Sequence, residues 1–122
     1  MSTDVDLEAY GEEVRRFCEE RKWSQFHTPK DLSIGLTTEA SELLELFRFL
    51  DERDIQARLD DPRFAERVED EVGDVVFFLV RLAQVLDIDP LEVARAKLEK
   101  SREKYPADEY EGDNWKVLDE ET

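Results

Sequence analysis

The chain has 122 residues, room for one domain and too few for a second. Acids number 33 against 17 bases, for a formal net charge of -16, and 41% of residues are charged. A surface of that sign repels phosphate backbones, which argues against direct binding of nucleic acid or an anionic membrane.

In chain order, the opening MSTDVDLEAYGEE is acidic and polar, the opposite of a secretory or transit signal, so a soluble cytoplasmic protein is expected. Leu7, Tyr10, Val14, Phe17 and Cys18 fall at helical spacing and predict a first helix over about Asp4 to Lys22, capped by Thr3 or Asp4. Cys18 lies on its apolar face as a small core residue, and a single cysteine excludes a disulfide framework or a cysteine-cluster zinc site. The segment WSQFHTP, Trp23 to Pro29, reads as an aromatic loop. Leu32, Leu36, Ala40, Leu43, Phe47 and Leu50 form the stripe of a second helix, about Lys30 to Leu50. A polar linker, Asp51 to Asp61, follows, with room for a short helical turn.

The third helix starts at Pro62, a favourable first-turn residue, and runs to Leu86. From Val75 it is apolar nearly all round, interrupted by Arg81 and Gln84. Its longest apolar run, Val75 to Val80, is far short of the ~20 residues that span a bilayer. A helix buried on every side exceeds what four short helices can cover, so the chain is expected to associate with further copies of itself, as a dimer or tetramer. The fourth helix opens at Asp89-Pro90 and stops at Tyr105-Pro106. The expected architecture is all-α, a four-helix chain forming an oligomeric bundle, with a domain over 1–106 and an acidic tail over 107–122 in which Trp115, Val117 and Leu118 are candidates to dock. With six Lys among the 17 bases, the acidic bias fits either a protein kept soluble in concentrated salt or an ordinary acidic one.

Most carboxylates read as solvated. Four stand elsewhere. With Leu36 as zero on a wheel of about 100° per residue, Glu39 falls near -60°, inside the apolar arc, and Glu42 near -120°, at its edge. Glu45 falls near 180° and faces water. With Val72 as zero, Glu71 lies near -100° and Asp74 near -160°, beside Phe78. Two helices thus each present an i, i+3 acidic pair at the border of the core. A buried carboxylate costs several kcal/mol and takes up a proton instead, and close neighbours raise one another's pKa. A hard divalent cation, Mg²⁺ or Mn²⁺, relieves both costs. The rival explanation is ion pairing with Arg48, Arg67 or Arg81. A di-iron site fails, because the sole histidine, His27, lies in a loop.

EASE (Glu39 to Glu42), followed about thirty residues on by EVGD (Glu71 to Asp74), resembles the ExxE…ExxD signature of the MazG-like all-α nucleoside triphosphate pyrophosphohydrolases. The flanks RKWSQFHTPKDLSIGLTTEASELLELFRF and AKLEKSREKYP resemble the dCTP pyrophosphatase branch, and the likeness runs from about Leu7 to Pro106. It implies a Mg²⁺-dependent enzyme (Mn²⁺ as substitute) that splits a nucleoside triphosphate, dCTP-like, into monophosphate and pyrophosphate and so cleans the nucleotide pool. It further implies Glu39, Glu42, Glu71 and Asp74 as the catalytic metal ligands, His27, Trp23 and Phe26 near the base, and Lys97, Lys104 and Tyr105 near the phosphates. Where that branch has Asn this chain has Ser101, a shorter group without the amide's paired donor and acceptor, which leaves base or sugar selectivity open. Blander readings stand beside these: Trp23 and Phe26 as a plug for the bundle end, His27 as a cap, Lys97 and Lys104 as a solvated face. The rival functions are the same chemistry on dUTP or a modified nucleotide, and a non-catalytic helical interaction module.

Overall fold

The computed structural model describes residues 5–112. Among them the chain is all-α, with no strand: α1 (Leu7–Glu20), α2 (Pro29–Glu45), α3 (Glu52–Leu59), α4 (Pro62–Leu86), α5 (Pro90–Lys104) and α6 (Ala107–Tyr110), and a 3-10 turn, Ser24–Phe26, between α1 and α2. Among the described residues no helix is long and apolar enough to cross a membrane. The chain divides into two compact units, Met1–Ile88 and Asp89–Thr122.

Part of the acidic composition is spent on helix starts. The Asp6, Asp51, Asp61 and Asp89 carboxylates accept from the first-turn amides of α1, α3, α4 and α5, and Thr28 Oγ1 accepts from Asp31 N (3.0 Å) at α2. An anion there satisfies an orphan donor and meets the positive end of the helix dipole. Pro29, Pro62 and Pro90 follow their caps, where a missing N–H costs nothing. Asp6, rather than Thr3 or Asp4, caps α1; those two residues, like Trp115, Val117 and Leu118, lie outside the described residues.

Two expected boundaries change. The second helix ends at Glu45, not Leu50, because Leu46 N and Phe47 N bond three residues back, to Leu43 O (3.2 Å) and Leu44 O (2.9 Å), and the chain tightens into a turn. That turn seats Phe47 edge-on to Phe64, with centroids 6.0 Å apart. The linker between Asp51 and Asp61 is the two-turn α3. The predicted spans of α4 and α5 match the structure. The start of the expected tail, Ala107–Tyr110, makes one helical turn.

Helix α1 ends in a Schellman motif. Trp23 N bonds Cys18 O and Lys22 N bonds Glu19 O, both at 3.0 Å, with Lys22 left-handed at φ 57°. The turn throws Trp23 and the 3-10 segment back over α1, where Trp23 meets Phe17 edge-on at 5.4 Å. Cys18 is fully buried with Val14 and Val80, which ties α1 to α4.

The decisive packing is α2 against α4. At Gly35 a Cβ would stand 2.4 Å from the Phe78 ring, so the two helices approach more closely than an alanine allows. One turn onward along α2 is Glu39, and one turn back along α4 is Asp74. These two interact, so the helices run antiparallel and the Gly35–Phe78 contact sets the register of both acidic pairs. Gly35→Ala is expected to lower stability by about 1–3 kcal/mol, as overpacking does, read by urea denaturation. An unchanged midpoint means that the close approach is not what holds the helices in register.

Candidate functional site

Glu39 and Glu42 stand on α2, and Glu71 and Asp74 on α4. Carboxylate oxygens of Glu39, Glu42 and Glu71 all lie within 4.8 Å of one another. Asp74 joins through Glu39, with both Asp74 and Glu42 in hydrogen-bonding reach of the Glu39 carboxyl. Three more residues in the same antiparallel register take the Glu39–Asp74 pair to Glu42–Glu71, whose charges also act on each other. The helix wheel puts each pair at the border of the core, and the α2–α4 packing brings Glu39, Glu42 and Glu71 together. Glu39 and Glu71 are half-buried, and Glu42 and Asp74 are exposed. Glu45, the water-facing comparison, is exposed and pairs with Arg48 at 2.7 Å.

The electrostatics follow from this convergence. Burial, then hydrogen bonding to Asp74 and the charge of Glu42, push Glu39 from the ordinary 4.5 up to about 7. Burial and the charge of Glu42 raise Glu71 as well. Glu71 Oε2 is shut off from solvent and has no hydrogen-bond partner. The arginines that offered another explanation do not neutralise the cluster. Arg48 is held by Glu45, Arg81 is bonded to neutral groups, and Arg67 makes no ion pair among the described residues. An orphaned carboxylate oxygen beside two other carboxylates, with no ion-paired cation among the described residues, fits a hard divalent ion.

Near the same face lies a second constellation, which the sequence reading did not assemble. Arg81 is 5% exposed. Its Nε donates to His27 Nδ1 (2.9 Å), one terminal nitrogen to Ser24 Oγ (2.9 Å) and the other to Gln84 Oε1 (2.8 Å), and Gln84 Nε2 donates to Gly11 O (2.7 Å). Three segments, α1, the 3-10 turn and α4, are thus joined through one buried guanidinium. His27 is not the cap of α2, since Thr28 takes that role. Burial, and secondarily Arg81, hold the His27 imidazole below its ordinary pKa. Trp23 faces His27 at 6.5 Å and is partly covered by Phe17, while Phe26 is 62% exposed and plugs nothing. Arg81 is seven residues beyond Asp74, hence on the same side of α4 and about 10 Å along its axis. Tyr10, read as a stripe residue, borders the acidic site: burial, Glu13 and Asp74 raise its hydroxyl pKa. The signal for Arg81 was a lone arginine within an apolar arc; nothing local pointed to Tyr10.

Lys97, Ser101 and Lys104 share one face of α5 by their spacing, and Tyr105 follows, edge-on to Tyr110 at 5.1 Å. All four belong to the second unit.

Fold and site together define an all-helical protein with a carboxylate centre suited to a divalent ion. No protein-family model matches the chain. The chain is 31% identical over 112 residues to dCTP pyrophosphatase 1 of Bos taurus, covering 88% of this chain and 66% of that protein. It is 37% identical over 101 residues to dCTP pyrophosphatase 1 of Homo sapiens, covering 79% and 59%. The aligned stretch thus falls just short of two thirds of those relatives' length. A solved pyrophosphatase from Archaeoglobus fulgidus superposes with a TM-score of 0.75 at 33% identity, over 87% of this chain and 97% of that one. The chain belongs to the MazG-like family, with dCTP pyrophosphatase 1 among its homologues.

The raised carboxyls carry a sign. In the folded state Glu39 keeps its proton between pH 4.5 and about 7, where the unfolded chain has lost it. Its contribution to stability is therefore full below 4.5 and is lost as pH rises through 7. In EDTA, the melting temperature of Glu39→Gln relative to wild type is expected to climb from pH 5 to pH 8. A gap that stays constant with pH contradicts the assigned repulsion.

Proposed function

We propose that this protein is a Mg²⁺-dependent nucleoside triphosphate pyrophosphohydrolase, yielding monophosphate and pyrophosphate, with a dCTP-like pyrimidine nucleotide as substrate. The observation that carries the reading is the convergence of four carboxylates, one with a buried unpartnered oxygen, with no ion-paired cation among the described residues. The names of the relatives, dCTP pyrophosphatase 1 and pyrophosphatase, support the activity and the base.

Glu39, Glu42, Glu71 and Asp74 would hold the ion, with Mn²⁺ as an alternative. When bound, the ion supplies Lewis-acid polarisation of phosphoryl oxygens and acidifies a nearby water. The residues do the rest. On a chain of net charge -16, the acidic cluster rejects a free triphosphate and accepts one only together with its counter-cations. One of these carboxylates, Glu39 or Glu42, would orient the attacking water or take its proton. His27 and Trp23 lie toward the other end of the same side of α4, with Phe26 beside them, at a distance comparable with the length of a nucleoside; we assign them to the base. On the resemblance, Lys97 and Lys104, with Tyr105, are assigned to substrate phosphates and Ser101 to base or sugar selectivity.

A chain this small leaves much apolar surface open. Val72 (46%), Val76 (37%) and Leu79 (47%) are exposed at i, i+4, i+7 along α4, and Phe49 is 82% exposed. Such a stripe is what a second copy covers, so the working form is a homo-oligomer, dimer or tetramer. A cytoplasmic setting, with a role in cleaning the nucleotide pool, completes the reading.

The deciding measurement is a screen of common NTPs and dNTPs with Mg²⁺, quantifying pyrophosphate against orthophosphate. Pyrophosphate is expected, fastest from dCTP; orthophosphate alone, or no turnover, refutes the reaction. Glu39→Gln, Glu71→Gln and Asp74→Asn are each expected to cost about 100-fold or more in kcat, while Glu45→Gln stays near wild type. Light scattering is expected to give at least twice the 14.4 kDa chain mass, and Leu79→Lys to reduce it to one chain. A wild-type mass of one chain rules out the oligomer.

A further inference from the structure

Arg81 is a charge placed where charges are costly, and among the described residues no carboxylate pairs with it. Its partners among the described residues are His27 Nδ1, Ser24 Oγ and Gln84 Oε1, all neutral acceptors. A buried arginine is ordinarily matched with an anion, and this chain has 33 acids to choose from. The choice of neutral partners has a chemical consequence at His27. A guanidinium only donates, so Nδ1 must present its lone pair. In the neutral ring the single proton then sits on Nε2, which makes no hydrogen bond among the described residues. A second proton, on Nδ1, would set one N–H against another and add a like charge beside Arg81.

We propose that Arg81 is a positioning residue that fixes His27 as the neutral Nε2–H tautomer, so that the base subsite offers a donor and selects a base edge carrying an acceptor, such as a pyrimidine carbonyl. This rests on the reading that His27 faces the base. The hydrogen bond from Ser24 accepting Arg81 holds the 3-10 turn in place, and the Gln84–Gly11 link fixes the far side of the guanidinium on α1. The ring therefore has one orientation as well as one tautomer. The charged group acting on the ring is Arg81 itself, from α4. Trp23 is the aromatic neighbour, and Cys18, the titratable group on α1 that also feels Arg81, is kept a neutral thiol by burial.

His27 is the sole histidine, so one labelled ring gives an unambiguous spectrum. Long-range ¹H–¹⁵N correlation on the full chain, free of any tag, is expected to show Nε2 protonated and Nδ1 bare from about pH 8 down to about pH 6. A proton on Nδ1, or a rapidly exchanging mixture, overturns the proposal. Addition of Mg²⁺ and non-hydrolysable α,β-methylene dCTP is expected to shift Nε2. A fixed tautomer with an unmoved Nε2 refutes the base-facing reading instead, and the selectivity assigned to Arg81 falls with it. Arg81→Met is expected to release the single tautomer and raise KM for dCTP about tenfold with kcat within about twofold. A fall in kcat with unchanged KM marks a purely structural residue and counts against the proposal. Should Arg81→Met fail to fold, the wild-type spectrum decides alone.

Discussion

Like charges meeting across the α2–α4 seam are the constraint to which the rest of the structure responds. Glu39, Glu42 and Glu71 come within 4.8 Å of one another on a protein of net charge -16. Folding gains nothing electrostatically from that convergence; the raised Glu39 and Glu71 measure what it costs. The cluster persists because apolar packing on either side leaves it no choice. Gly35 admits Phe78 so closely that the helices lock in one antiparallel register, and that register brings each acidic pair onto the other. A cation or a proton can then supply what the surrounding side chains withhold, and the cluster is compatible with a divalent ion.

Charge is distributed along α4 in a way that matches this demand. Near its middle stand Glu71 and Asp74; two turns after Asp74 stands Arg81, buried among neutral acceptors. An acidic patch and a fixed polar ring, on one side of one rigid helix, suit a ligand with a polyanionic end and a heterocyclic end. Because both are referenced to α4, their separation does not depend on loop conformation. The loop that carries His27 is itself fastened to α4 by Arg81 and to α1 by the Schellman turn before it.

The local features were legible in the sequence. Asp-Pro steps at Asp61 and Asp89 mark helix starts because cap and proline act within one turn, so α4 and α5 could be bounded from residues alone. The wheel placed Glu39 and Glu71 in the apolar arc because helical angle is set by sequence distance. What was not legible depends on contacts distant in the chain. The turn after Glu45 follows from where Phe47 meets Phe64. The need for glycine at position 35 appears only once Phe78 is opposite. Arg81 looked like an interruption of an apolar run, and its partners His27 and Ser24 lie 54 and 57 residues away. Periodicity can mark such an arginine as anomalous and cannot say what it holds.

The same helix that orders the site is also poorly covered. Only six apolar residues are buried among the described residues, while Val72, Val76 and Leu79 stay open along α4. A rigid reference element with an open apolar stripe is a poor reference by itself, since helices gain most of their stability from tertiary packing. Covering the stripe with the proposed second copy would stiffen α4 where Glu71, Asp74 and Arg81 project from it. Val72 lies between Glu71 and Asp74 in the chain, so the proposed assembly and the proposed ion would act on one stretch of backbone. A contact that orders Val72 lowers the conformational cost of holding Glu71 and Asp74 in place, and, by linkage, an ion that orders those carboxylates favours the contact by the same amount.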